Sequence, residues 1–185
     1  WFNMFKISIL SLLLCLGMYT QAQSNNFEWA YQFGGNGDES GTSVATDGAG
    51  NVYNTGYFNG RVDFAPGSDT FFMASKGSTD IFVTKTNTNG KLIWAVSIGG
   101  SQADIGADIA VDTSGIIYLT GSFQGTVDFN PGSSVFNLSS SGKSDIFVLK
   151  LNKNGNFIWA KKVGGPLEDA GTSVAISKTG YGHTT

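Results

Sequence analysis

Apolar and polar positions alternate in short runs along this chain. Phe27, Trp29, Tyr31 and Phe33 are interleaved with Glu28, Ala30 and Gln32, a period of two that fits a half-buried strand. Beyond residue 22 no window carries the three-and-four spacing of an amphipathic helix. Turn formers punctuate the runs: Asp47-Gly-Ala-Gly50, Asn89-Gly90, Asp112-Thr-Ser-Gly115 and Asn154-Gly155. Asn-Gly between apolar runs predicts a type I′ hairpin turn, with both central residues at positive φ.

The pattern is periodic over a longer distance. Trp29, Trp94 and Trp159 are each 65 residues apart, and at that offset the chain aligns with itself without a gap. Trp-Ala recurs at 29–30, 94–95 and 159–160, and Gly-Gly at 34–35, 99–100 and 164–165. Val-Asp-Phe-x-Pro-Gly-Ser stands at 62–68 and 127–133, and Asp-Ile-Phe-Val-x-Lys at 80–85 and 145–150. The units run 29–93, 94–158 and 159–185, the third shorter than the others. Fixed-period self-similarity is the signature of repeat architectures.

Each complete unit predicts four strands: 43–46, 52–58, 81–86 and 92–98 in the first, and 108–111, 117–123, 146–151 and 157–163 in the second. The long connections 59–80 and 124–145 belong at the same end as the loops that lead into the next unit. The first strand of each unit is small and branched (Val44-Ala45, Ile109-Ala110, Val174-Ala175), which predicts burial on both faces. A four-stranded meander apolar on two faces must lie between copies of itself, and radial stacking of such sheets makes a β-propeller. The expected fold is all-β: a propeller fragment of about two and a half four-stranded blades over residues 23–185. Such a piece cannot close a ring of four to eight blades. It should therefore expose an apolar blade face and associate. Residues 27–33 have the pattern of a fourth strand with no first three before it, and are expected unpaired or loosely paired.

The units resemble the bacterial β-propeller repeats of the SBBP type, found in secreted and surface proteins, many from Bacteroidetes-like bacteria. The resemblance rests on Trp-Ala-x-x-x-Gly-Gly, on Ala-x-Asp-x-x-Gly-x-x-Tyr-x-Thr-Gly (45–56, 110–121), on Val-Asp-Phe-x-Pro-Gly and on Asp-Ile-Phe-Val. It implies a propeller and export, and brings no catalytic residues with it. The third unit departs from the pattern, with Ser177 at the turn-Asp position and Tyr181-Gly182-His183 where a strand should start.

Ahead of the repeats, residues 4–22 have the form of a secretory signal peptide: Lys6, an apolar run Ile7–Met18, and small residues at Thr20 and Ala22. The run is too short for a membrane span of about 20 residues. Cleavage after Ala22 removes the single cysteine, Cys15, and moves the formal charge from −3 to −4 by loss of Lys6. The mature chain then has neither disulfides nor a thiol, and the expected location is secreted or cell-surface.

Composition narrows the chemistry. Only 14% of residues are charged while 13% are aromatic, the opposite of a disordered chain. An acidic balance without clustered Lys and Arg excludes a nucleic-acid surface. His183 is the sole histidine, so Ser-His-Asp, Cys-His and His/Cys zinc arrangements are excluded within residues 23–185. The carboxylates recur with the repeat: Asp47 and Asp112 at turns, Asp63 and Asp128, Asp80 and Asp145, and an acid in each inter-unit loop (Asp38-Glu39, Asp104, Glu168-Asp169). Repetition favours structural roles over a unique glycosidase pair. No metal or cofactor site is expected; Glu39, Asp104 and Asp169 are the calcium candidates, although no loop gathers the several carboxylates of a dedicated site. Asn87-Thr-Asn-Gly90 and Asn152-Lys-Asn-Gly155 read as turns rather than calcium loops, and Phe71-Phe72-Met73 as an extra hairpin packed on its own blade.

The leading expectation is a non-catalytic exported module whose loops bind a protein or glycan, completed by the rest of its own propeller. The rival is the propeller part of a secreted lyase, glycosidase or quinoprotein with its active residues in other blades.

Overall fold

The computed structural model describes residues 30, 32–65, 67, 69–177 and the backbone of 182–184. The signal-peptide segment 4–22 lies outside the described residues, as do Phe27, Glu28, Trp29 and Tyr31. Among the described residues there is no helix. The strands are β1 (Gly34–Gly35), β2 (Glu39–Thr46), β3 (Val52–Asp63), β4 (Phe72–Thr86), β5 (Leu92–Ile98), β6 (Ile105–Val111), β7 (Ile117–Asp128), β8 (Asn137–Leu151), β9 (Phe157–Val163), β10 (Val174–Ile176) and β11 (Gly182–Thr184).

Two antiparallel meanders, β2-β3-β4-β5 and β6-β7-β8-β9, carry the same register at an offset of 65. Tyr53↔Lys85 becomes Tyr118↔Lys150, and Lys85↔Trp94 becomes Lys150↔Trp159. The third unit keeps the register too, with Val174↔Thr184 matching Ile109↔Leu119. The chain is an all-β, propeller-like repeat fold, its sheets stacked so that β2 and β3 of the first blade lie against β6 of the second. The joint is a continuous core in which Tyr53, Ile81, Val83 and Ile98 of the first blade pack with Ile109, Leu119, Phe129 and Phe147 of the second.

The outer strands fall where the pattern places them, and three features differ. First, the connections 59–80 and 124–145 are largely strand. β3 and β4 continue past a register break at Asn59/Arg61, where Gly60 has φ +75° and four residues of β4 stand opposite one of β3. The kink turns the hairpin back, so Phe64 packs on Phe58 (5.2 Å) and Phe82 (5.1 Å), and Phe129 packs likewise on Phe123 and Phe147. Alternation is broken there by small polar residues, which hid the strand. Second, among the described residues no non-glycine residue has positive φ, so the Asn-Gly turns are not type I′. All four tight turns are one type: Gly50, Gly90, Gly115 and Gly155 sit at positive φ and donate to the carbonyl of Asp47, Asn87, Asp112 or Asn152. That is a type I turn closed by a left-handed glycine, the three-residue hairpin alternative. Third, the first strand is covered on both faces only where a preceding blade exists. Val44 is 62% exposed, whereas Ile109 and Val174 at the same repeat position are 4% and 6% exposed.

Of residues 27–33, Ala30, Gln32 and Phe33 are described and lie outside strands. Gly34-Gly35 then pairs with Asp63 and Val62 of β3.

Candidate functional site

The repeated carboxylates resolve into a set of backbone clamps. Asp47 accepts from the N–H of Ala49 (2.9 Å) and Asn51 (3.0 Å), from the Asn51 amide (2.8 Å) and from the Tyr53 hydroxyl (3.0 Å). Burial works to raise its pKa, but these four hydrogen bonds outweigh it and bring the carboxyl down to about 2. Tyr53 is pushed well above its ordinary range, by burial first and then by its bond to Asp47 and the charges of Asp47 and Asp112. Lys85 lies 3.6 Å from Asp47 and over the Tyr53 ring. Asp112 holds Ser114 and Ile116 in the same way, the expected Asx-turn role. Asp63 closes its hairpin tip by accepting from Ala65 and Phe71, as Asp128 does from Asn130 and Phe136.

At the opposite end, Asp80 and Asp145 are fully buried. Each accepts a backbone N–H across the kink, Lys76 to Asp80 and Ser141 to Asp145. Each also explains half of a Gly-Gly motif, because a Cβ on Gly99 would lie 2.3 Å from the Asp80 carboxyl carbon, and one on Gly164 2.6 Å from that of Asp145. The second glycine serves the next blade: a Cβ on Gly100 would lie 2.7 Å from the Thr126 carbonyl oxygen. Burial raises the pKa of Asp80, opposed by the Lys76 backbone bond and charge.

The three calcium candidates occupy one repeat position but differ in role. Asp104 is fully buried; its carboxylate accepts from Gly100 (2.8 Å) and Gln124 (3.0 Å), and its own N–H donates to Thr79 of the preceding blade. Burial pushes its pKa up to about 6, against those hydrogen bonds and with the nearby Asp80 charge adding to the rise. Asp169 accepts from Gly165 and donates its N–H to Ser144. Glu39, the first residue of β2 rather than a loop residue, carries a buried Oε1 with no hydrogen-bond partner. It lines a pocket of about 160 Å³ with Phe33, Ser40, Gly41, Asn54, Phe64 and Phe82 on the open side of the first blade. Among the described residues, no three His, Cys, Asp or Glu side chains gather in a way that could hold a metal ion.

Two positions that the repeat pattern left unnoticed stand out. Asp108 occurs where the other units have Ser43 and Ser173. It accepts from Ser43 Oγ (2.6 Å) in the blade before, and from Ser173 Oγ (2.9 Å) and the Val174 N–H (2.8 Å) in the unit after. Burial opposes ionisation, yet these bonds and its own neighbour Ile109 lower its pKa. Lys162 forms a salt bridge with Asp145 at 3.1 Å and bonds Ser141 Oγ at 2.6 Å. The signal for both is a charged residue breaking the repeat. The largest exposed apolar groups include Phe71, Phe72, Val135 and Phe136 at the hairpin tips, and Ile93 and Ile158 on the outer strands.

No family model matches the chain. It is 29% identical over 105 residues to the regulatory protein FlaEY of Caulobacter vibrioides, covering 57% of this chain and 11% of that protein. It is also 29% identical over 104 residues to an uncharacterized WD repeat-containing protein, L264, of Acanthamoeba polyphaga mimivirus, covering 49% of this chain and 8% of that protein. The chain spans about a tenth of the length of these curated relatives. WD repeats are four-stranded propeller blades, in keeping with the two meanders.

Proposed function

We propose that this chain is an exported, non-catalytic propeller module of the SBBP type that binds a protein or glycan, with further repeats of its own polypeptide completing the ring. The observation that carries this reading is how the repeated acids are used. They recur at fixed repeat positions, and most are committed to backbone N–H groups that hold turns, kinks and joints. A catalytic pair would stand free of the repeat and face solvent or a cleft. The hairpin tips around Phe71-Phe72 and Val135-Phe136 supply the exposed aromatic and aliphatic surface for a partner. Among the described residues no helix is long and apolar enough to cross a membrane, and the route of export is the segment 4–22.

The test uses purified residues 23–185 in hydrolase, lyase and redox assays beside a glycan and surface-protein binding screen. Binding weakened by Phe71→Ser with Phe136→Ser, and no turnover, is the expected result. Turnover that disappears on a single carboxylate substitution overturns the non-enzyme reading. Secreted material that retains Met4, read by mass spectrometry, overturns the leader.

A further inference from the structure

Arg61 is the only arginine among the 185 residues, and it breaks the repeat. One unit later the same position is Thr126, whose hydroxyl shares a hydrogen bond with Ser139 Oγ (2.8 Å). Phe72 breaks the repeat as well, with Asn137 as its counterpart. The two side chains are stacked: the guanidinium carbon of Arg61 lies 3.6 Å from the Phe72 ring centroid. Arg61 is exposed and Phe72 is 47% exposed. Among the described residues the guanidinium makes no salt bridge and no hydrogen bond. The acid two residues on, Asp63, uses its Oδ1 to accept from the N–H groups of Ala65 (3.0 Å) and Phe71 (2.8 Å). Those bonds, with the Phe64 N–H donating to the Phe71 carbonyl (2.9 Å), fix the hairpin that carries the stack. Neither neighbouring blade covers the position. The first blade has its successor packed against it and the second its predecessor, and Arg61, Phe72, Thr126 and Asn137 are all exposed.

We infer that Arg61 and Phe72 form a subsite for a uronic acid residue of a glycan. The inference rests on the binding-module reading and narrows its partner from protein or glycan to an acidic sugar. An arginine lying over an aromatic ring has its plane fixed and its N–H edge open, and that edge is the fork that takes a carboxylate through two parallel bonds. Holding the side chain in place beforehand also reduces the entropy lost when the ligand arrives. The exposed part of Phe72 adds roughly 100 Å² of apolar surface, enough for the C–H face of one pyranose ring. A protein partner would need about 800 Å² on this side. A formal charge of −3 and a lone arginine also disfavour a polyanion held by charge density, such as a nucleic acid. One carboxylate on one sugar ring matches one fork beside one phenyl ring.

The readout is the one arginine Nε–H resonance of the nitrogen-15-labelled chain, titrated with oligogalacturonate and with oligoglucuronate. It is expected to shift and saturate with at least one of them, and to stay still with their carboxyl-reduced, neutral forms. Arg61→Thr with Phe72→Asn installs the residues that the second blade carries at these positions, so the fold is kept. Calorimetry on that double variant should show affinity at least about tenfold lower. Arg61→Lys keeps the charge and loses the fork, and its affinity should fall between the two. The reverse graft, Thr126→Arg with Asn137→Phe, should raise the count from one sugar site per chain to two. A resonance indifferent to both uronates, neutral sugars that bind as tightly, or affinity unchanged in the double variant overturns the inference. So does a glutamate-rich peptide that shifts the Arg61 resonance at concentrations as low as the uronates do, which would give the site to a protein. The binding-module reading fails separately, on turnover, and not on the Arg61 resonance.

Discussion

The two complete blades share one 65-residue template, and two contrasts between them separate what the template dictates from what the neighbourhood adds. In the second blade the buried Asp145 is neutralised by Lys162 on β9, with Ser141 on the kink of β8 completing the group. In the first blade these positions are exchanged: Lys76 stands where Ser141 does, and Ser97 where Lys162 does. One lysine serves one buried carboxylate in each blade, delivered from different strands. The geometric outcome is unequal, because Lys162 reaches Asp145 while Lys76 bonds Asp80 through its backbone N–H and influences it by charge at longer range. The second contrast is coverage. Gly106 is clamped by the preceding blade and Gly41 faces open space, although both occupy one repeat position.

The largest effect follows from that second contrast. Gly106→Val places a branched side chain where even a Cβ would lie 2.5 Å from Thr55 Oγ1 and 3.1 Å from the Gly56 carbonyl oxygen. Backbone on one side cannot give way, so the joint between the blades must open, at a cost of about 3 kcal/mol or more. Gly41→Val in the same assay, urea unfolding at a concentration low enough to keep the chain monomeric, is expected to change stability by about 0.5 kcal/mol or less. Equal losses would show that the blades do not stack through this position.

The exchange of lysines predicts a middle-sized difference. Lys162→Met leaves the fully buried Asp145 without its ion pair. Removing one partner of a buried pair costs about 3–5 kcal/mol, and because Lys162 is itself a third exposed the expected loss is about 2 kcal/mol. Lys76→Met is expected to cost about 1 kcal/mol or less, since no direct pair is broken. The double change Lys76→Ser with Ser97→Lys should recreate the second blade's arrangement around Asp80 and recover stability relative to Lys76→Ser alone. Additive losses in that double variant would mean that the two blades do not share this geometry.

Much of this architecture is legible in the sequence because repetition turns a single reading into two independent ones. The Trp period set the unit, alternation set strands such as 92–98 and 157–163, and small branched residues marked the strand that lies between blades. What stayed hidden depends on pairs distant along the chain. The hairpin extension has no period-two signal, because the Ser75–Ser78 bulge opposite Gly60 breaks it. The turn type is set by Asp and Asn side chains reaching the backbone two and four residues on, which makes Gly50 and Gly90 left-handed and leaves Asn89 ordinary. The Gly99–Asp80 lock joins residues of different strands that no local window contains. Of the candidate acids, sequence placed Asp104 and Asp169 in their loops, but only the packing reveals them as clamps and Glu39 as the member without a clamp.

The smallest expected effect is a pH dependence that sharpens the contrast between clamps at the two ends of the molecule. Asp104 has its pKa raised to about 6 in the fold, above the unfolded value near 3.9. The neutral form is therefore the one the fold favours. Its contribution is greatest below about pH 4 and is lost as pH rises through about 6. Asp47, lowered to about 2, runs the other way: its contribution is present above about pH 4 and is lost as pH falls through 2. Asp104→Asn removes the first titration and, with one acceptor oxygen for two N–H donors, also forfeits a backbone bond worth about 1 kcal/mol. Urea unfolding of the wild type and Asp104→Asn, compared from pH 7 down to pH 4, should show the variant's deficit widening by roughly 1–2 kcal/mol on acidification. The Asp47→Asn deficit should hold level over that window and shrink only below it. A deficit for Asp104→Asn that stays level from pH 7 to pH 4 would show that Asp104 titrates as an ordinary surface acid, and that the joint at Gly100 and Gln124 does not bury it.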